Sequence, residues 1–219
     1  MNIHQTAREN GVNAALKTTI CCLLLAAGCL PAGCYQEQSA QSGYAPKVYA
    51  VERHAIAVEA YRKEKYREAL EAATEAANHD PGYADAAKLR ALILLRTDKT
   101  DLAADALASY CEQWPDDAEG QSLHGLSLER MGRTEAATAA YGRAVGGFDK
   151  MLADGTRTPE KVLGRALLIY LRDGRSAGLV ALNQVLSAYP DYGPAREIKQ
   201  NILDNNRGFV LDWLESRPR

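Results

Sequence analysis

Two prolines, Pro81 and Pro115, stand 115 − 81 = 34 residues apart, and the segments before them match position for position. Three consecutive units, 50–83, 84–117 and 118–151, share this register. Each supplies a small residue where two helices of a hairpin cross: Ala57, Ala91 and Gly125 on the first helix, Ala69, Ala103 and Ala137 on the second. Leu94, Leu107, Leu128 and Tyr141 fill the space between, and Tyr110 stands out of pattern where Ala76 and Ala144 occupy the other units. The turns inside the hairpins read Lys63-Glu64-Lys65, Thr97-Asp98-Lys99 and Met131-Gly132-Arg133, with Gly132 suited to positive φ. A hairpin of this size cannot bury its apolar face alone, so neighbours must stack. The expectation is an all-α solenoid with one concave and one convex face.

The period of 34 and the small-residue positions resemble the tetratricopeptide (TPR) repeat family. The resemblance implies a right-handed superhelix of about four helix-turn-helix repeats, here over residues 49–206. A fourth unit, 159–192, is displaced by about seven residues and carries Ala166, Ile169, Gly178, Leu182 and Val185 in register. Residues 149–158 read as a longer inter-repeat loop, because Gly146-Gly147 looks like a helix terminator. Thr158 is then placed to cap the next helix and Pro159 to open it. Gly193-Pro194 opens a further helix, 193–206, with Ala195, Ile198, Ile202 and Leu203 on one face. A solenoid leaves a raw apolar edge at its last repeat, so this helix is expected to cap it. The tail, 207–219, holds an apolar run that fits one or two helical turns.

The first 28 residues carry a separate signal. Arg8 and Lys17 precede the apolar run 18–27, and small residues follow up to Cys29, the order of a secretory signal peptide. Leu25-Ala26-Ala27-Gly28-Cys29 resembles the lipobox of bacterial lipoproteins, which implies lipidation of Cys29. Cys34, after Leu30-Pro31-Ala32-Gly33, is the alternative, and a third reading is an ordinary cleaved signal with incidental cysteines. Residues 29–48 are Gln-, Ser- and Gly-bearing and read as a flexible linker that spaces the repeats from a membrane.

Composition excludes several classes. The 47% hydrophobic content with only 7% aromatic fits Ala-rich stacked helices, and a formal charge of −2 without a basic block gives no nucleic-acid surface. His54, His79 and His124 fall at unrelated repeat positions with no ligand spacing around them, and no CxxC, P-loop or nucleophile-elbow motif occurs. No catalytic residue, metal site or cofactor is therefore expected. Cys111, on a second helix, reads as a buried small hydrophobe.

In TPR folds the first helix of each hairpin lines the concave face, and the resemblance transfers that role to three rows. One is Val58, Leu92, Leu126 and Leu167; the next is Tyr61, Leu95, Glu129 and Tyr170. The third is Arg62, Arg96 and Arg130, with Leu171 in the fourth unit. The rows imply a partner-binding groove for a protein or peptide, with an apolar strip beside an arginine ladder. Packing of the leucines against the opposing helix, with solvated arginines, is the competing account. The resemblance to small TPR lipoproteins implies an adaptor anchored at the outer membrane, facing the periplasm, in pilus, secretion or outer-membrane biogenesis. The alternative is a soluble periplasmic or secreted binder of one dedicated partner, of chaperone or immunity type.

Overall fold

A computed structural model describes residues 44–216, and the repeat unit begins at Pro46. Among the described residues there are ten helices and no strand. They are α1 (Val48–Arg62), α2 (Tyr66–His79), α3 (Ala84–Arg96), α4 (Thr100–Gln113), α5 (Ala118–Arg130), α6 (Thr134–Ala153), α7 (Pro159–Asp173), α8 (Arg175–Ala188), α9 (Gly193–Leu203) and α10 (Arg207–Ser216). From α1 to α10 each helix packs on the next in the chain. First helices also touch across hairpins, α1 on α3 and α3 on α5, which is how a hairpin stack builds a concave inner wall.

The crossing positions are filled as small residues require. Ala57 and Ala69 are fully buried, as are Ala91 with Ala103, and Ala137 sits in the same place in the third hairpin. Where a large ring intrudes, a glycine in the facing helix makes room. A Cβ built on Gly125 would lie 2.4 Å from Tyr141 Cε1, one on Gly120 would lie 2.3 Å from Tyr110 Cε1, and one on Gly178 would lie 2.5 Å from Tyr170 Cβ. This explains the irregular Tyr110: the ring replaces the usual small residue, and Gly120 on α5 supplies the volume.

The three hairpin turns share one conformation. Glu64 has φ 58°, Asp98 56° and Gly132 73°, and the three stand 34 residues apart like the units themselves. Only glycine takes this left-handed conformation without cost, and other L-residues lose roughly 1–2 kcal/mol. Glu64→Gly is therefore expected to stabilise the fold, by about 0.5–1 kcal/mol once the extra freedom of the unfolded chain is counted. Gly132→Ala is expected to destabilise it by a similar amount, with urea midpoints as the measure.

Two sequence expectations are corrected. Gly146-Gly147 does not end a helix, because α6 continues to Ala153 and the connection to α7 is 154–158 rather than 149–158. Gly147 is buried under the start of α5, where a Cβ would come within 2.9 Å of Ala118 Cβ and of the Asp116 carbonyl oxygen. It serves close approach of two backbones, a role sequence does not distinguish from helix termination. Thr158 accepts a hydrogen bond from the Lys161 amide at 3.4 Å and Pro159 opens α7. Asp117 caps α5 by accepting from the Glu119 amide at 3.0 Å.

His54 is buried on α1 and its Nδ1 lies 3.1 Å from the Tyr83 hydroxyl. Burial pushes its pKa below the ordinary 6.5, with Lys88 acting in the same sense and Asp85 against. Burial, helped by Arg143, also lowers His124, whose Nδ1 is buried without a hydrogen-bond partner. The unfolded chain then binds protons that the native state refuses. Stability is expected to be full above about pH 6.5 and to fall as pH drops through the depressed folded values. His54→Gln and His124→Gln are each expected to flatten part of that slope in urea melts taken between pH 7 and pH 5.

Candidate functional site: the concave face and the helix across it

The three rows fall on α1, α3, α5 and α7, the first helices of the four hairpins. Leu92, Leu95 and Leu126 are buried in one cluster with Leu123, while Leu167, Tyr170 and Leu171 are buried in the C-terminal cluster. Val58 and Tyr61 are half-buried and Arg62 is exposed. The leucines are thus not an open strip. Part of what covers them is packing inside the stack, and part is the tail of the chain.

α10 turns back after the three-residue connection 204–206, in which Asn205 has φ 60°. Its first turn is held by Asn206, whose Oδ1 accepts from the Phe209 amide at 3.1 Å. The helix then touches α3, seven helices upstream. Leu211 packs against the cluster that contains Leu92, Leu95, Leu123 and Leu126. Val210 and Leu214 are buried within the C-terminal cluster, at 0% and 7% exposure. A cavity of about 20 Å³, room for roughly one water, remains beneath Leu214 against Ser122, Leu123, Leu126, Phe148 and Gly164.

Charge fixes both ends of the helix. At its start Arg207 forks onto Glu129, Nε to Oε1 at 2.7 Å and Nη2 to Oε2 at 3.0 Å, and Nη2 also donates to the Leu171 carbonyl at 3.3 Å. The Arg207 guanidinium lies 5.5 Å from the centre of the Tyr170 ring. Tyr141 steadies the same carboxylate by donating its hydroxyl to Glu129 at 2.8 Å. Burial works against the Arg207 charge, yet Glu129 more than offsets it and its pKa lies above the ordinary value.

At the other end Glu215 is only 2% exposed. Arg130 donates to it and also to the Leu95 carbonyl, at 3.2 Å, while Arg96 Nε lies 3.7 Å from its second oxygen. Asp212 lies 4.0 Å from Arg130. Burial raises the Glu215 carboxyl above the ordinary value, and the pull of Arg130 and then Arg96 does not fully cancel it. The pair is a buried carboxylate held by two partly exposed guanidiniums, an arrangement in which geometry matters more than net charge energy.

The structure therefore gathers Leu92, Leu95, Arg96, Leu126, Arg130, Leu167 and Tyr170 around α10, or in the clusters it packs on. It leaves Val58 and Arg62 on α1, while the charge contacts of the tail fall on α3, α5 and α7. Sequence reasoning missed Arg207, Leu211, Leu214 and Glu215. The available signal was an apolar tail carrying Asp212 and Glu215 in a chain with a three-arginine ladder. Cys111 is buried with its thiol pushed up to about 12 by burial, as an inert core residue would be. Cys29 and Cys34 lie outside the described residues. No group of three His, Cys, Asp or Glu side chains that could hold a metal occurs among the described residues, and no helix there is long and apolar enough to cross a membrane.

A stack of 34-residue hairpins with first helices lining a concave wall defines a TPR solenoid, and the comparisons with solved structures agree. PilW, a type IV pilus biogenesis factor, matches with a TM-score of 0.56 at 22% identity, over 77% of this chain and 75% of its own. TTC0263, a thermophilic TPR protein of Thermus thermophilus, matches with 0.56 at 18% identity, over 75% of this chain and 87% of its own. A tetratricopeptide repeat protein of Parabacteroides merdae gives 0.54 at 19%, over 77% of this chain and 66% of its own. At these identities the likeness establishes the fold. No family model and no curated protein sequence matches the chain.

Proposed function

We propose that this chain is a protein-binding scaffold whose concave face holds a helical segment of another protein, and that a lipid on Cys29 tethers it to a membrane within an envelope assembly. The observation that carries the binding reading is that the face already holds a helix, α10, by apolar contact and by Arg96 and Arg130 on one carboxylate. Arginine and aromatic groups concentrate interface energy because they combine contact area with directed hydrogen bonds. The membrane reading is supported by the leader and by Leu25-Ala26-Ala27-Gly28-Cys29. The fold shared with the pilus biogenesis factor PilW supports an assembly of that kind, and the outer membrane facing the periplasm is the location proposed from the lipobox-like run, in which Leu30 follows Cys29.

Two variants test the two parts. Arg96→Glu is expected to abolish reciprocal co-precipitation with the partner while α1 to α9 keep their cooperative melting, because the ion-pair partner of Arg96, Glu215, lies on α10 rather than in the hairpin stack. Unchanged capture moves the binding surface away from the concave face. Cys29→Ser is expected to release the protein from the membrane fraction and abolish fatty-acid labelling. Wild type that takes up no label overturns the anchor and leaves the soluble binder of one dedicated partner.

A further inference from the structure

The segment in the groove has the properties of a ligand rather than of a cap. A cap would sit on the last repeat, and α9 is already there, with Ala195, Ile198 and Ile202 fully buried. α10 instead crosses back over α7, α5 and α3, and its charged contacts are all with first helices. Val210, Leu214 and Glu215 are buried, and Arg207, Phe209, Leu211 and Trp213 partly so, which is the one-sided contact of a helix lying along a groove. The connection closes on itself, with the Asn206 amide donating to the Asn201 carbonyl at 2.8 Å, so the end of α9 is capped by its own chain.

We infer that α10 is an intramolecular stand-in for the partner: the concave face accepts an amphipathic helix of another protein, basic at its start and acidic at its end, which enters by displacing α10. The template is written in the tail. The incoming helix carries a guanidinium where Arg207 meets Glu129, aliphatic side chains at the spacing of Val210, Leu211 and Leu214, and a carboxylate where Glu215 meets Arg96 and Arg130. The inference rests on the reading of the concave face as the binding surface. A tethered tail competes at high effective concentration, so the displacing helix must offer more contact than α10 does. Arg62, exposed on α1 beyond the charge contacts of the tail, is where a longer helix gains it. Until then the docked tail lowers apparent affinity in proportion to the fraction of time it occupies the groove.

The test uses the full chain and, as probe, a labelled synthetic peptide of residues 205–219. The double variant Val210→Asp with Leu214→Asp loosens the tail and leaves the groove untouched. It is expected to bind the peptide at least about tenfold more tightly than wild type, and adding Arg130→Glu is expected to remove that gain. In wild type, the amides of 208–216 are expected to exchange with solvent at least about a hundredfold faster than those of α5 and α7. Exchange of the tail only with global unfolding, or loss of cooperative melting in the double variant, makes α10 a structural cap and overturns the proposal. Equal peptide binding by wild type and variant overturns it as well. A dimer that grows with concentration and disappears in the double variant makes the occupant a second copy and overturns the claim of a foreign helix. Partner capture that survives Arg96→Glu defeats the concave-face reading itself, whereas a tail that never opens defeats only the displacement.

Discussion

Gly125→Ala is expected to be among the most damaging single-methyl changes in this chain, costing about 3 kcal/mol, the upper end of the range for overpacking. The new Cβ would lie 2.4 Å from Tyr141 Cε1 and 2.5 Å from Cδ1, distances at which something must move. The ring has nowhere to go. It is 1% exposed, and its hydroxyl is fixed at 2.8 Å on Glu129, which Arg207 holds from the other side. In Ala-rich helices the same change on an open surface would stabilise by roughly 0.5–1 kcal/mol, so the sign alone separates a packed crossing from a solvated one. Pairing it with Tyr141→Ala supplies the control: each single change is destabilising, and the double variant is expected to be more stable than their sum by at least about 1 kcal/mol. Additive thermal shifts would show that the helix crossing does not depend on this contact.

The stacked hairpins were legible because they are periodic. A crossing at Ala57 recurs at Ala91 and Gly125, and the turn at Glu64 recurs at Asp98 and Gly132, so the fold is written several times over. What repetition could not show were the exceptions that compensate one another. Tyr110 reads as a flaw until its ring is seen to fill the volume that Gly120 leaves. Gly147 reads as a terminator because a glycine needed for close approach and one needed for a helix end are the same residue. In both cases the deciding neighbour lies on another helix.

The candidate site was half legible, for a different reason. Repeat logic identified which positions face inward, and it placed Leu92, Leu95, Arg96, Leu126 and Arg130 on one surface. It has no means of saying what lies against that surface. α10 belongs to no repeat, and its Glu215 meets Arg130 from 85 residues away. A single long-range contact leaves no period to detect. Only charge complementarity could have suggested it, and charge on solvated helices is too common to single out one pair.

Glu215→Lys is expected to detach α10. The carboxylate is 2% exposed between Arg130 and Arg96, and an ammonium there would face two guanidiniums with no counter-ion. Breaking a buried pair in this way costs about 3–5 kcal/mol where the groups cannot escape. Here they can, because α10 ends the described chain and is joined by three residues, so the cost is limited to the free energy that docks the helix. The expected result is therefore split. Hydrogen exchange protection over 208–216 and the burial of Trp213 are lost, while the melting of α1 to α9 shifts by only a few degrees. Glu215→Gln is expected to be milder, since the amide keeps an acceptor for Arg130 and brings no like charge toward the two guanidiniums. Combining Arg130→Glu with Glu215→Arg is expected to restore part of the protection, less than wild type because Arg96 would then face an arginine. Protection that fails to return in the exchanged pair, with both single variants detached, would mean that Val210, Leu211 and Leu214 alone decide where the helix docks.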